Sequence, residues 1–198
     1  PLPQETIDIC KMSDGVLFGA IGDPKYDNDP TAKVRPEQGL LRLRKALGLY
    51  ANIRPVRLFA SLMDRSPLKE ERILGTDLVV YRELTSGIYF GDKGRLEGGS
   101  AAFDTCYYTV EEITRIAKMA FEAATRRRGL LTLVDKANVL ESSRLWREVV
   151  QKMALEYPDV SVDYLFVDHA AMQVVQQPSR FDVILNANLF GELIPVET

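Results

Sequence analysis

Three short apolar runs in the second half of the chain are each followed by a segment with helical periodicity. LLTLVD at 130–135 precedes a predicted helix at 143–157, VSVDYLFVD at 160–168 precedes AAMQVVQQ, and FDVILNAN at 181–188 precedes a last helical turn. Short apolar strands that alternate with amphipathic helices predict an α/β fold with a largely parallel sheet and flanking helices. Such sheets bind their ligands at the carboxyl ends of the strands.

Polar residues stand where these three runs end. Lys136 and Asn138 follow the first run, Asp168 ends the second and Asn188 ends the third. Taken alone, a lysine at the end of a strand is more often solvated than catalytic. Two strands of one sheet that end in a lysine and an aspartate would, however, place a potential base and a metal-binding oxygen on the same rim.

The first half of the chain is less regular. It predicts a short helix, a strand at 15–22, a helix at 36–50, and two further strands at 51–59 and 76–84. A capping box at Thr109 to Glu112 then begins a long helix. The apolar stripe predicted for that helix consists of Val110, Ile113, Ala117, Ala120 and Ala124. The basic run at 126–128 precedes Gly129 at the predicted helix end, and we interpret it as structural.

Composition excludes several classes of site. Lys and Arg number 25 against 28 Asp and Glu, a net charge of -3, so no broad basic surface for nucleic acid is predicted. Cys10, Cys106 and His169 are the only cysteines and histidine, too few for a zinc site or a disulfide framework. Any metal would therefore be Mg²⁺ or Mn²⁺ held by oxygen ligands. No apolar run approaches 18 residues and no signal peptide is evident, so we expect a cytoplasmic protein that does not enter a membrane.

Three arginines and a tyrosine are candidates for an anion site. Leu40 and Arg44 share one face of a predicted helix, which would suit an alkyl branch beside a carboxylate, although a solvated arginine would give the same pattern. Arginines borne on strands beside apolar neighbours usually have an anionic partner. For Arg54 and Arg82 that partner could be a ligand, or only Glu83 or Asp77. Tyr89 lies in SGIYFG, predicted to be strand-like, where a core or edge tyrosine is commoner than a proton donor.

Taken together, the motifs resemble one family. RPEQGLLRLRKALGLYANIRPV, RELTSGIYFG, VDKANVLESSRLWREVV, YPDVSVDYLFVDHAAMQ and FDVILNANLFGE closely resemble 3-isopropylmalate dehydrogenases, which are β-decarboxylating dehydrogenases. The resemblance covers nearly the whole chain but only the central portion of a family chain. It implies a partial, cofactor-side first domain at 1–49. It also implies a second domain at 50–198, which carries dimerisation, substrate and metal functions and is truncated at its end.

The resemblance implies a reaction and a role for each residue. Such enzymes oxidise 3-isopropylmalate with NAD and release carbon dioxide, which gives 2-oxo-4-methylpentanoate in leucine biosynthesis. Lys136 would take the hydroxyl proton and Tyr89 would protonate the enolate carbon. Arg44, Arg54 and Arg82 would hold carboxylates, while Leu40 and Leu41, together with Val139 of the partner subunit, would contact the isopropyl group. Glu37 and Asn138 would lie near NAD, and Asp168 would bind Mg²⁺ or Mn²⁺.

In the family, Lys136, Asn138 and Asp168 would serve the neighbouring subunit, so the resemblance implies a homodimer with shared active sites. Isocitrate-specific relatives carry a serine in the helix where this chain has Leu40 and Leu41. Because two leucines offer an extra carboxylate only desolvation, an alkyl branch is the better ligand.

The chain departs from the family pattern near its end. The family has two metal-binding aspartates where Glu192 and Val196 stand, and a threonine and a glutamate at Asn186 and Ala187. Glutamate could still bind a metal, but valine could not. We therefore expect the 198-residue chain alone not to oxidise isopropylmalate. Two alternatives stay open: a non-catalytic dimerisation or anion-binding module, and a dehydrogenase of a related 2-hydroxy acid such as tartrate or homoisocitrate.

Overall fold

A computed structural model describes residues 2–22, 24–26 and 35–194 of the chain. The chain divides into two compact units, Pro1–Tyr50 and Ala51–Thr198. The division falls one residue from the predicted domain boundary, while the functions predicted for the two domains stay predictions. No helix in the described residues is long and apolar enough to cross a membrane.

The regular secondary structure described in the first unit is helical. Its helices are α1 (Gln4–Met12) and α2 (Pro36–Ala46), and a short 3-10 turn lies at Pro24–Tyr26. The guanidinium of Arg42 donates to the carbonyl of Leu2 and to the side chain of Gln4, which joins α2 to the start of α1. The strand predicted at 15–22 is wrong, because these residues have no regular secondary structure and pair with no strand. A strand needs a neighbour for its backbone hydrogen bonds, and the described part of this unit contains none.

The second unit is built on a five-stranded sheet and a separate two-stranded ribbon. The strands are β1 (Ala51–Arg57), β2 (Asp77–Glu83), β3 (Lys93–Leu96), β4 (Ala101–Asp104), β5 (Leu130–Asp135), β6 (Ser161–Phe166) and β7 (Val183–Asn186). The sheet has the order β1-β2-β7-β5-β6, and β3 and β4 form the ribbon. β1 is antiparallel to β2 and all other pairs in the sheet are parallel. The predicted α/β fold with a largely parallel sheet is therefore confirmed, and the ribbon was not predicted.

Helices cover both faces of this sheet. The helices of the unit are α3 (Glu70–Ile73), α4 (Val110–Thr125), α5 (Glu141–Ala154), α6 (Val167–Gln176) and α7 (Phe190–Leu193). On one face, residues of β2, β5 and β7 pack against α6, with Leu78, Val80, Val134, Ile184, Ala170 and Val174 forming the core. On the other, Arg115 of α4 bonds Glu83 and Arg147 of α5 bonds Asp135. Since side chains alternate along a strand, Arg82 points to the α6 face.

Several local predictions can be compared directly. The capping box of α4 is confirmed, since Thr109 accepts from the backbone of Glu112 and Glu112 accepts from that of Thr109. Val110 was wrongly placed in the apolar stripe, because it is exposed on the first turn of α4. α5 begins at Glu141, two residues before its predicted start. α6 begins at Val167, so Asp168 lies in a first helical turn instead of ending a strand.

The basic run at 126–128 is structural, as predicted. Arg127 donates to Asp77 and to the fully buried Asp182, and the backbone N–H of Arg128 donates to Asp182 as well. Gly129 ends the run with a φ of 73°, in the left-handed region that glycine favours. These contacts tie the end of α4 to β2 and to the residue before β7.

Candidate functional site

Arg82 is the most buried of the three predicted arginines, and Asn188 holds its guanidinium in place. Nε of Arg82 donates to the backbone carbonyl of Asn188 at 2.8 Å, and Nη2 donates to Oδ1 of the same residue at 2.8 Å. Both residues are almost inaccessible to solvent. Because two of its donors are fixed by a single buried residue, the guanidinium has a defined orientation.

Glu192 and Tyr89 complete the cluster at the open side of Arg82. Nη2 of Arg82 donates to Oε2 of Glu192 at 2.9 Å, and the hydroxyl of Tyr89 donates to the same oxygen at 2.6 Å. The partners considered from sequence were wrong, since Glu83 binds Arg115 and Asp77 binds Arg127. Two residues predicted to act on substrate therefore converge on one carboxylate oxygen. We define Arg54, Arg82, Tyr89, Asn188 and Glu192 as the arginine cluster.

Charge and burial set the proton affinities within this cluster. Burial, and then the hydrogen bond to Glu192, raises the pKa of Tyr89, so the phenol stays protonated. The hydrogen bond from Tyr89 lowers the pKa of Glu192, and the charges of Arg82 and Arg54 act in the same direction. Burial and the neighbouring charge of Arg82 lower the pKa of Arg54, although a guanidinium remains charged. The cluster therefore combines two cations with one carboxylate.

Arg54 reaches the cluster from the edge strand β1. Its Nε donates to Oδ1 of Asn52 at 2.5 Å, and Asn52 pairs with Arg82 in the sheet register. Residues 52 and 54 lie on one face of β1, so Asn52, Arg54 and Arg82 share the α6 face. Arg54 is held by a neutral amide, and its charge remains available to an anionic ligand.

A tight turn places Tyr89. The segment was predicted to be strand-like, but it forms a 3-10 turn at Gly87–Tyr89. Gly87 has a φ of 80°, which breaks the extended chain, and a Cβ at this position would lie 2.2 Å from the hydroxyl of Tyr108. The backbone N–H of Gly87 also donates to the carbonyl of Tyr107. The turn brings Tyr89 back toward α7 instead of continuing β2.

Asn188 connects this turn to the arginine cluster, a role that the sequence did not reveal. Its Nδ2 donates to the carbonyl of Ser86 at 3.1 Å, and its backbone N–H donates to the hydroxyl of Tyr108 at 2.9 Å. With the two bonds from Arg82, this buried asparagine has every side-chain polar atom engaged. The only sequence signal was an asparagine just beyond a buried strand.

Lys136 and Asp168 form a second cluster. Nζ of Lys136 donates to Oδ1 of Asp168 at 2.6 Å and lies 5.7 Å from the centre of the Phe166 ring. The hydrogen bond from Lys136 lowers the pKa of Asp168. The turn after β5 is fixed by Asp135, which accepts from the backbone of Ala137. We call Lys136 and Asp168 the lysine pair.

The lysine pair lies at the β6 edge of the sheet. β7 separates β2 from β5, so the backbones that carry Arg82 and Lys136 are about 10 Å apart. Among the described residues, no hydrogen bond or ion pair joins the lysine pair to the arginine cluster. Asn138 and Val139 follow Lys136 in an exposed turn, with Val139 63% exposed. The sequence-predicted residues of this unit therefore form two groups at one rim.

The remaining predicted residues lie on α2 of the first unit. Leu40 lines an apolar cavity with Phe18, Ile21 and Leu43, whereas Leu41 is half-buried outside that lining. Arg44 is one helical turn after Leu40 and is half-buried, and Glu37 is in the first turn. The predicted roles of these four residues in binding substrate and NAD stay predictions.

Gly191 and Asn186 lie beneath the arginine cluster. A Cβ on Gly191 would lie 2.4 Å from Cγ of Arg82 and 2.4 Å from Oδ1 of Asn186. Only glycine therefore lets α7 approach β2 and β7 this closely. Both side-chain polar atoms of Asn186 are buried, with no hydrogen-bond partner among the described residues.

Replacing Asn186 with threonine, the residue that the resemblance implies there, should raise the free energy of unfolding by about 1–2 kcal/mol. Each buried polar group without a partner costs free energy, and threonine suits a strand and carries one polar group fewer than asparagine. Denaturant unfolding followed by circular dichroism measures the change. The exposed Asn138→Thr variant is the control and should differ from the parent by less than about 0.5 kcal/mol. An Asn186→Thr protein no more stable than its parent would contradict the prediction.

The predicted metal ligands do not form a metal site within one chain. Asp168 is bonded to Lys136, and Glu192 is bonded to Arg82 and Tyr89. The residues that the structure describes contain no group of three His, Cys, Asp or Glu side chains able to hold a metal ion. Val196, where the resemblance implies a second metal-binding aspartate, lies outside the described residues. The metal roles of Asp168 and Glu192 stay predictions.

Comparison with known proteins shows the same relationship along the whole chain. The profile of the isocitrate/isopropylmalate dehydrogenase family matches residues 1–196. A 3-isopropylmalate dehydrogenase of Bacteroides fragilis is 56% identical over 197 residues, which cover 100% of this chain and 55% of the relative. The chain thus spans about half the length of the curated relatives it matches.

Two solved structures have the same fold. A protein of Thermus thermophilus gives a TM-score of 0.82 at 29% identity, covering 98% of this chain and 37% of that one. The isocitrate dehydrogenase of Methylococcus capsulatus gives a TM-score of 0.76 at 34% identity, covering 97% of this chain and 54% of that one. The profile match, the identity and the shared fold agree: the chain belongs to the isocitrate/isopropylmalate dehydrogenase family.

Proposed function

We propose that the protein carrying this chain catalyses the NAD-dependent oxidative decarboxylation of 3-isopropylmalate to 2-oxo-4-methylpentanoate, a step of leucine biosynthesis in the cytoplasm. One observation carries the proposal beyond family membership. A buried guanidinium and a protonated phenol converge on one carboxylate oxygen, with a second arginine beside them. This position is built to take a carboxylate next to a proton donor.

Substrate binding is assigned to the arginines and leucines. Arg82, oriented by Asn188, and Arg54, held by Asn52, would bind carboxylate groups through charge-assisted hydrogen bonds, with Arg44 as a third cation. Leu40 and Leu41 would contact the isopropyl group, as would Val139 from the partner subunit. A second carboxylate in place of the alkyl branch would find no partner on these leucines.

Proton transfer is assigned to Lys136 and Tyr89. Lys136 would accept the proton of the substrate hydroxyl as the hydride leaves the same carbon. The carbon–carbon bond to the departing carboxylate then breaks and its electron pair forms an enolate. Tyr89 would give its phenolic proton to the enolate carbon, and its raised pKa keeps that proton in place beforehand.

NAD, when bound, accepts the hydride, and we propose that Glu37 and Asn138 lie beside it. The divalent ion implied by the family is Mg²⁺ or Mn²⁺. Because the described residues of one chain form no site for the ion, we assign it no step.

We further propose that the working unit is a homodimer in which the lysine pair serves the arginine cluster of the partner subunit. Nζ of Lys136 is directed to Asp168, toward the β6 edge and away from Arg82. Val139, just after Lys136, and Met172 and Val175, on the helix α6 that follows β6, are exposed apolar side chains. A partner subunit that covers them would bring a second chain to the lysine pair.

The full-length gene product, assayed with NAD and Mg²⁺ or Mn²⁺, should reduce NAD with 3-isopropylmalate in preference to malate, tartrate, isocitrate and homoisocitrate. Absorbance of NADH measures kcat/KM for each acid. A preference for tartrate or homoisocitrate would show that the protein is a dehydrogenase of that related 2-hydroxy acid instead. Carboxylate binding without oxidation of any of these acids would favour the anion-binding module.

Replacing Leu40 with serine tests the basis of that preference. The Leu40→Ser variant should lose about 1–3 kcal/mol of discrimination between 3-isopropylmalate and malate, as expected when one apolar contact is removed. Leu49→Ser is the matched control, because Leu49 is exposed and outside the cavity that Leu40 lines. An unchanged preference in Leu40→Ser would show that this residue does not contact the alkyl branch.

A further inference from the structure

We propose that the carboxylate of Glu192 is a built-in competitor, which occupies the carboxylate position of the arginine cluster and must leave before substrate binds there. The inference rests on the proposed function, because it takes Arg82 and Tyr89 as substrate-binding residues. It gives Glu192 a part in substrate affinity in addition to the metal role that the family resemblance implies.

The geometry of the contact is that of a bound carboxylate ligand. A single oxygen, Oε2 of Glu192, accepts both from Nη2 of Arg82 at 2.9 Å and from the hydroxyl of Tyr89 at 2.6 Å. Both bonds are short and both are charge-assisted, because their acceptor is an ionised carboxylate, which makes them strong for a partly exposed site. A substrate carboxylate that binds to these same two donors cannot do so while Glu192 holds them.

Burial shows which partner can move. The side chain of Arg82 is 4% exposed and that of Glu192 is 51% exposed. Arg82 keeps two hydrogen bonds to Asn188 when Glu192 leaves, so the guanidinium remains in position. The glutamate can turn into solvent without opening the core, and the vacated site retains the donors of a carboxylate pocket.

The charge balance favours exchange for a ligand with more than one carboxylate. Arg54 and Arg82 together carry two positive charges, and Glu192 neutralises one. A dicarboxylate that replaces Glu192 could pair with both guanidiniums, whereas glutamate offers one carboxylate. A dicarboxylate can bind only to molecules in which Glu192 has left the site. Its apparent affinity is therefore the intrinsic affinity multiplied by the fraction of molecules in which the site is free.

The test is the affinity of the full-length gene product for malonate, a small dicarboxylate, measured by titration calorimetry. Divalent ions are removed with a chelator, so that any metal role of Glu192 cannot contribute. Glu192→Gln and Glu192→Ala should both bind malonate about tenfold more tightly than the parent, since each removes the charged competitor. Glu148→Gln, which removes a negative charge from an exposed position on α5, is the matched control and should bind like the parent.

Equal or weaker malonate binding by both Glu192 variants, with circular dichroism like that of the parent, would overturn the inference. Two different substitutions are used so that a local folding defect in one variant cannot by itself decide the result. Failure of the inference is distinguishable from failure of the proposed function. If the Glu192 variants bind malonate more tightly but the parent protein oxidises no isopropylmalate, Glu192 is a competitor and the enzyme assignment is wrong. If the parent oxidises isopropylmalate but the variants bind malonate no more tightly, the enzyme assignment stands and Glu192 is not a competitor.

Discussion

Replacing Arg82 with lysine should lower kcat/KM for 3-isopropylmalate by about a hundredfold or more, although the positive charge is retained. Arg82 makes three contacts at once, to the carbonyl and Oδ1 of Asn188 and to Glu192. A single ammonium group cannot reproduce the planar fork that links these acceptors, so the carboxylate position loses its orientation. A hundredfold loss corresponds to about 2.7 kcal/mol of transition-state stabilisation.

The same Arg82→Lys substitution should lower the free energy of unfolding by about 1–3 kcal/mol, since a buried acceptor on Asn188 loses its charged donor. Steady-state kinetics and denaturant unfolding measure the two effects. Arg95→Lys, at an exposed position of the β3–β4 ribbon, is the matched control and should change neither quantity appreciably. An Arg82→Lys enzyme with parental kcat/KM would show that the fork is not required.

The sequence predicted the parts of the molecule that depend on local pattern. The apolar runs ending near Lys136, Asp168 and Asn188 did predict parallel strands with polar residues at a common edge. The capping box at Thr109 gave the start of α4 because its two hydrogen bonds span only three residues. The site roles of Arg82 and Tyr89 came from the family resemblance, and their convergence on one oxygen came only from the structure.

Features that depend on distant contacts could not be predicted. Arg82 and Asn188 are separated by 106 positions, so no local pattern links them. In the sequence, Asn186 has no feature that distinguishes it from other strand residues. Its side chain lacks hydrogen-bond partners among the described residues because it is buried beneath Gly191. The segment at 15–22 has strand composition, but a strand also requires a neighbour, which composition does not supply.

The ionic partners predicted for Arg82 were wrong because the sequence does not show which residues face the same side of the sheet. Asp77 and Glu83 are near Arg82 in sequence, but neighbours along a strand point to opposite faces. Glu83 points to the α4 face, where Arg115 and the turn after β2 bind it. Arg82 points to the α6 face and meets Glu192, which comes from the far end of the chain.

The central claim is that one active site takes the arginine cluster from one chain and the lysine pair from another. Two variants of the full-length gene product, Lys136→Ala and Arg82→Ala, should each be nearly inactive. Loss of a general base or of a binding guanidinium typically costs at least about a hundredfold. A heterodimer of the two variants, however, contains one site that combines an intact Arg82 with an intact Lys136 from the other chain.

The decisive measurement is NADH formation after the two inactive proteins are mixed and allowed to exchange subunits. Random exchange makes half of the dimers heterodimers with one intact site of two, so we expect activity to return to about a quarter of the parental value. Mixing Arg82→Ala with Arg54→Ala is the control and should restore nothing, because both residues belong to the arginine cluster of one chain. If heterodimers form and activity does not return, the two groups serve sites within a single chain and the shared-site account is wrong.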